Sequence, residues 1–206
     1  MPKDSTNLLC VGLAAAFERA GQPVPVVKYT VKSSIPYARG LGSSSAAIVA
    51  GIIAGLVLAG QEVDVWGQET LLQIASEIEG HPDNVSPCIY GGMQLGIHAS
   101  DRWMSERISM PPGLQLVIFI PSFEGKTSTA RGVLSDVVSR EEASFNIGRV
   151  AFLINALSQG NLENLGWGME DRLHQPQRGD KLYNYLYPMI EAASSRRSCC
   201  CGRRRS

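Results

Sequence analysis

Four stretches of the chain place apolar residues at helical spacing. Leu8, Leu9, Val11, Leu13, Ala16 and Phe17 share one face of a helix that Ser5 can cap and Gly21 stops. From Ala46 to Ala59 almost every residue is apolar, which predicts a central helix buried on all sides. Leu71, Leu72, Ile74, Ala75 and Ile78 give a third helix an apolar face, with Asp64 at its start and Gly80 after its end. Ser139-Arg140-Glu141-Glu142 is a capping-box pattern opening a fourth helix through Leu157, which Gly160 stops.

Between these lie stretches with strand character. Residues 25–33, PVVKYTVKS, alternate apolar and polar positions. A run through Tyr90 and Leu95 to His98, another over 102–110, and LQLVIFIP at 114–121 complete the strand predictions, the last apolar enough for the middle of a sheet. Two or three short helical pieces fill 161–193.

Composition changes little in this picture. At 206 residues and 44% hydrophobic side chains, the chain can bury one substantial core and part of a second. Net charge of +0 points to neither nucleic acid nor an acidic surface as partner. The apolar run after the serines is about sixteen residues, short of the ~20 a bilayer needs, so no membrane span is expected. Gly51-x-x-x-Gly55 within it suits close helix packing. Met1-Pro2-Lys3-Asp4 leads into a helix start rather than a signal peptide, and Cys10 and Cys88 read as small core residues. A reducing, cytoplasmic compartment is therefore expected. Cys199, Cys200 and Cys201 match neither a disulfide framework nor a zinc spacing.

Three stretches carry candidate chemistry. The loop Arg39, Gly40, Leu41, Gly42, Ser43, Ser44 and Ser45 runs straight into the apolar helix. Glycines let backbone amides at a helix start converge on one anion, and serine hydroxyls can bond phosphate oxygens or a metal ion. A plain glycine–serine turn with an N-cap is the competing reading. No GK[ST] follows the glycines, so the loop is not a Walker A motif. In GHPDNVSPCIYGG, His81, Asp83 and Asn84 crowd a proline-containing turn, where self-capping by the backbone is the alternative to ligand binding. In KTSTAR, Thr127 and Arg131 stand at i and i+4, a spacing that puts a hydroxyl and a guanidinium on one helix face and suits a carboxylate.

Together these stretches resemble a known family. IPYARGLGSSSAA resembles the phosphate-binding motif of the GHMP kinases, and EIEGHPDNVSPCIYGG followed by KTSTAR looks like their homoserine kinase branch. The resemblance implies the α+β GHMP kinase fold: a ribosomal protein S5 domain 2-like N-terminal domain over residues 1–110 and a partial ferredoxin-like domain over 111–193. Residues 194–206 form an Arg/Cys-rich tail expected to be disordered. It implies ATP-dependent phosphorylation of the L-homoserine hydroxyl in threonine biosynthesis. The alternatives are another GHMP small-molecule kinase, of mevalonate or sugar type, and a catalytically dead ATP-binding fragment.

Residue by residue, Arg39 to Ser45 would wrap the ATP phosphates. Ser44 and Glu77 would hold Mg²⁺, with Glu79 as second candidate. His81, Asn84, Thr127 and Arg131 would hold homoserine, with Asn84 near the reacting hydroxyl and Arg131 on the α-carboxylate. No side chain is assigned as the base. ATP, Mg²⁺ and homoserine are the implied ligands; no nucleic acid or membrane partner is, and a homodimer stays open.

Two departures set further expectations. The family pattern begins some tens of residues earlier, with strands that help form the substrate and adenine pockets. Its third, glycine-rich SGAGP-like loop should follow Pro188–Ala193, where this chain reads SSRRSCCCGRRRS. That run has the look of a shifted reading frame or an alternative splice end, with cysteine palmitoylation or anionic-surface binding as the functional alternative. The expectation is a chain truncated at both ends relative to the family.

Overall fold

A helix supplies its own backbone hydrogen bonds, so the helical periodicities translate most directly into structure. The computed structural model describes residues 4–120 and 127–201, with the backbone alone for 127–129 and 194–201. It divides into two compact units, residues 1–126 and 127–206.

The first unit opens with α1 (Leu8–Arg19). Its N-cap is Asn7, whose side chain accepts from the Leu9 amide at 3.0 Å, where Ser5 was expected. The segment from 23 to 33 has no regular secondary structure and forms no strand, contrary to its alternating pattern. Val26 lies fully exposed there, because a strand needs a neighbour and the described residues provide none. α2 (Ser43–Leu58) follows the glycine–serine loop. α3 (Val63–Glu79) is kinked at Gly67 and ends on Gly80. Glu62 holds its N-cap position, with Asp64 in the first turn rather than at the cap.

α2 packs on α1 across a seam of small residues. A methyl group at Gly51 would collide with the Leu9 carbonyl oxygen, and one at Gly12 with that of Ile48. The two backbones therefore touch, as the Gly51-x-x-x-Gly55 spacing predicts. Ile48, Val49, Ile52 and Leu56 from α2 meet Leu71, Leu72, Ile74 and Ala75 from α3 in one core, joined by Ala16 and Val85. α2 is not buried all round, however: Ile53, Val57 and Leu58 on its other face are exposed.

Residues 85–90 are helical (α4, Val85–Tyr90) instead of strand-like, and Cys88 on this helix is exposed rather than in the core. β1 (Met93–Ala99) and β2 (Arg102–Ile108) then form an antiparallel hairpin, pairing His98 with Trp103. Gln73 of α3 grips β2 from its outer side. Its amide donates to the Trp103 carbonyl and accepts from the Trp103 amide, both at 2.8 Å. Residues 114–120 have no regular secondary structure, with Leu116 80% exposed, so the predicted central strand does not form there; residue 121 lies outside the described residues.

Helices are the regular elements of the second unit among its described residues. α5 (Thr127–Gly132) is a single short helix, and α6 (Arg140–Gln159) is the long one. Its predicted capping box is present: Ser139 Oγ accepts from the Glu142 amide at 3.1 Å, and Glu142 accepts from the Ser139 amide at 3.0 Å. Gly160 closes it in the left-handed conformation. A 3-10 turn, α7 (Leu165–Gly168), α8 (Gln175–Lys181) and α9 (Leu186–Cys201) follow. α9 thus continues past residue 194; residues 202–206 of the tail lie outside the described residues. No helix of the described residues is long and apolar enough to cross a membrane.

Candidate active site

The loop before α2 uses backbone conformations that side chains rarely adopt. Ala38, Gly40 and Gly42 have φ of 53°, 73° and 75°. Gly42 is the N-cap of α2, has left-handed φ and ψ, and makes no side-chain cap, so the first amides of the helix are not occupied by a capping side chain. Those amides and the helix dipole favour an anion. Arg39 braces the loop from within, its Nη1 donating to the carbonyls of Tyr37 at 3.2 Å and Ala38 at 3.3 Å. Leu41, Ser43 and Ser44 are half-buried, Gly40 is exposed and Ser45 is fully buried. The Ser45 hydroxyl has no hydrogen-bond partner among the described residues.

The His-Pro-Asp-Asn turn reaches this loop from the other end of α3. A methyl group at Gly42 would sit 3.4 Å from Asn84 Cβ and 3.5 Å from its Oδ1, so the Asn84 side chain lies against the N-cap of α2. The turn is fixed behind. Pro82 packs on Gly96 of β1, and the buried Ser86 hydroxyl donates to the Pro82 carbonyl at 2.9 Å. His81 is mostly buried; its Nδ1 has no hydrogen-bond partner and lies 3.5 Å from Asp83 Oδ2, a charge contact at most.

The two acidic candidates separate cleanly. Ser44 Oγ donates to Glu79 Oε1 at 2.6 Å, whereas Glu77 pairs with Arg19 of α1 at 2.7 Å on the exposed side. Two residues along a helix are about 200° apart, so one face cannot present both. The structure thus brings Ser44, Glu79, Gly42 and Asn84 together, with Glu79 where Glu77 was the first expectation.

Two hard oxygen donors, the Ser44 hydroxyl and the Glu79 carboxylate, fit a Mg²⁺ ion that takes its remaining ligands from phosphate and water. No cluster of three or more His, Cys, Asp or Glu occurs among the described residues, so the protein offers few donors of its own.

In the second unit, Arg131 stands on α5, and Thr127 begins that helix, its side chain outside the described residues. Lys126 also lies outside them. Sequence reasoning missed Arg178, whose Nε donates to the Ala130 carbonyl beside Arg131 at 2.9 Å. Nothing local signals a contact across 48 residues of chain.

Comparison with known proteins shows what the chain is similar to. Residues 7–92 match the model of the GHMP kinases N terminal domain. The homoserine kinase of Synechococcus sp. is 42% identical over 176 residues, covering 85% of this chain and 56% of that protein. The homoserine kinase of Moorella thermoacetica is 40% identical over 178 residues, covering 86% and 59%. Among solved structures, the homoserine kinase of Cytophaga hutchinsonii superposes with a TM-score of 0.68 at 26% identity, covering 87% of this chain and 57% of that one. The chain spans somewhat more than half the length of the relatives it matches. Residues 7–92, which hold the glycine–serine loop and the His-Pro-Asp-Asn turn, match the GHMP kinases N terminal domain, and most of the chain is similar to homoserine kinases.

Proposed function

We propose that this chain serves ATP-dependent phosphorylation of the L-homoserine hydroxyl, giving O-phospho-L-homoserine in threonine biosynthesis, in the cytoplasm. One observation carries the reading: the Ser44–Glu79 hydrogen bond and the Asn84–Gly42 contact join a phosphate-binding helix start to the turn that marks the homoserine branch.

The roles follow from the chemistry of each group. The α2 amides and Ser43 to Ser45 bind and orient the ATP phosphates. Ser44 and Glu79 would hold Mg²⁺, which when bound neutralises charge between the β- and γ-phosphates. Asn84, set against the loop, holds the acceptor hydroxyl, and the half-exposed turn carries His81 beside it. Arg131, with Thr127, takes the α-carboxylate of homoserine; this assignment rests on the KTSTAR motif. Phosphoryl transfer through a loose transition state needs mainly positioning and charge stabilisation, so the reading does not require a dedicated base.

The test is ADP release from Mg-ATP with and without homoserine. Homoserine-dependent release that Glu79→Gln abolishes is the expected result. Tight Mg-ATP binding by calorimetry without homoserine-dependent release would identify an ATP-binding protein instead, and release with mevalonate or a sugar in place of homoserine would move the chain to another branch.

A further inference from the structure

The neutral total charge of the chain hides an uneven distribution. Arg196, Arg197, Arg203, Arg204 and Arg205 lie in the last eleven residues, and no Asp or Glu follows Glu191. Since the whole chain has a net charge of +0, residues 1–191 are net negative. A block of like charge at one end attracts a partner of opposite sign, whatever the total. Between the two arginine clusters stand Cys199, Cys200 and Cys201, a residue type that behaves as a small apolar side chain.

The backbone joins this block to the folded body. α9 runs without a break from Leu186 to Cys201. Its start is seated on α8, where a methyl group at Gly179 would fall 2.8 Å from Tyr187 Cε2. From Tyr187 to Ala193 every residue is exposed, Met189 and Ile190 among them. Helical register sets Cys199 and Cys200 three and four positions after Arg196, and Cys200 and Cys201 three and four after Arg197. Positions so spaced share a helix face, so basic and apolar residue types alternate along the same end of α9.

The arrangement selects among partners. Consecutive helical residues are about 100° apart, so the three cysteines do not converge on one metal ion. Nucleic acid would take the arginines on its phosphates, but leaves exposed Met189 and Ile190 without a role. A bilayer surface bearing anionic lipids meets both needs, with charged headgroups for the arginines and an acyl boundary for the apolar side chains. The helix lies on such a surface and does not span it. Its 16 residues interrupted by Glu191, Arg196 and Arg197 fall short of the ~20 apolar residues that a crossing needs.

We propose that α9, with the arginine- and cysteine-rich residues that follow it, is a docking element for an anionic lipid bilayer surface. The arginines engage the headgroups, and Met189, Ile190 and the cysteines contribute the apolar contact. None of these residues belongs to the candidate active site, so the inference stands apart from the phosphotransfer reading.

The experiment is flotation of the full chain, kept reduced, with vesicles of phosphatidylcholine alone and of phosphatidylcholine mixed with phosphatidylserine. Binding to the mixed vesicles and not to the neutral ones is expected, with slowed amide hydrogen exchange over 186–201. On the scale of one arginine at an anionic surface, Arg197→Gln should weaken partitioning about fivefold, and Gln at all five arginines more than about a hundredfold. Lys at all five, which keeps the charge, should retain most of the binding. Met189→Ser, Ile190→Ser and Cys200→Ser together should weaken it about tenfold.

Four results would overturn the proposal directly: equal binding to neutral vesicles, no binding to mixed ones, undiminished flotation of the five-Gln variant, or release by free inorganic phosphate matched to the lipid phosphate. Undiminished flotation of the triple Ser variant would also overturn it, because charge alone would then make the contact. Displacement from the vesicles by an RNA oligomer at equal phosphate concentration would identify nucleic acid as the partner instead.

Discussion

The seam between α1 and α2 and the two irregular stretches at 23–33 and 114–120 are built from similarly apolar sequence, yet only the seam is structured. Along the seam, Gly12, Gly51 and Gly55 bring two helices into backbone contact over a core of Ile48, Ile52 and Leu56. In LQLVIFI, each residue from Leu116 to Ile120 is more than half exposed. Hydrophobicity does not separate them. A helix closes its hydrogen bonds within itself and then needs only a surface to pack on, whereas a strand has no partner for its amides until another strand arrives.

Breaking the seam should have the largest effect. Gly51→Val places a branched side chain where the Leu9 carbonyl already lies, and should destabilise the first unit by about 3 kcal/mol or more. Chemical denaturation followed by far-ultraviolet circular dichroism measures this; a loss below about 1 kcal/mol would mean that the helices separate easily and the close contact is dispensable.

Next comes the functional end of the same helices. Glu79→Gln should weaken Mg-ATP binding about tenfold, while Glu77→Gln, at an exposed pair with Arg19, should leave it unchanged. Calorimetric titration of both variants sharpens the contrast between faces of α3. Equal effects would contradict the assignment of Glu79.

A pH titration probes bonds from side chain to backbone instead of packing. Burial works to raise the Asp171 carboxyl, but hydrogen bonds from Asn146 and from the amides of Gln175, Leu173 and His174 outweigh it and hold it below its ordinary value near 3.8. A carboxyl depressed by folding stabilises the folded state above its unfolded value and loses that contribution as pH falls through the folded one. Hydrogen-exchange protection of α8 should therefore drop as pH falls below about 3.8, after correction for intrinsic exchange rates, while α1 in the glycine seam stays protected. Asp171→Asn should remove the difference.

The smallest effect is expected in the irregular stretch. Ile118→Lys should change stability by less than about 0.5 kcal/mol, because the side chain is already in solvent. A larger loss would show that the segment is paired in solution, and the comparison with the seam would fail.

Much of this was legible in the residues. The Ser139–Glu142 box, the Gly80 and Gly160 stops and the glycine loop before α2 declare themselves within a few positions of chain. Asn7 displaced Ser5 as a cap because both residue types cap well and only the packing of α1 chooses between them. Val85, Ile89 and Tyr90 favour strands by composition, but the turn locked by Pro82 and Ser86 starts a helix there. The sequence named both Glu77 and Glu79; which of them meets Ser44 depends on how α3 is rotated against α1 and α2. Arg178 could not be anticipated, since its partner carbonyl belongs to any residue type and lies far away in the chain.

The grip of Gln73 on Trp103 gives the hairpin a direction. By supplying both a donor and an acceptor, one carboxamide stands in for a third strand and stoppers β2 near its start. Any strand joining on that flank must first displace two short hydrogen bonds, so enlargement of the sheet is steered to the β1 flank.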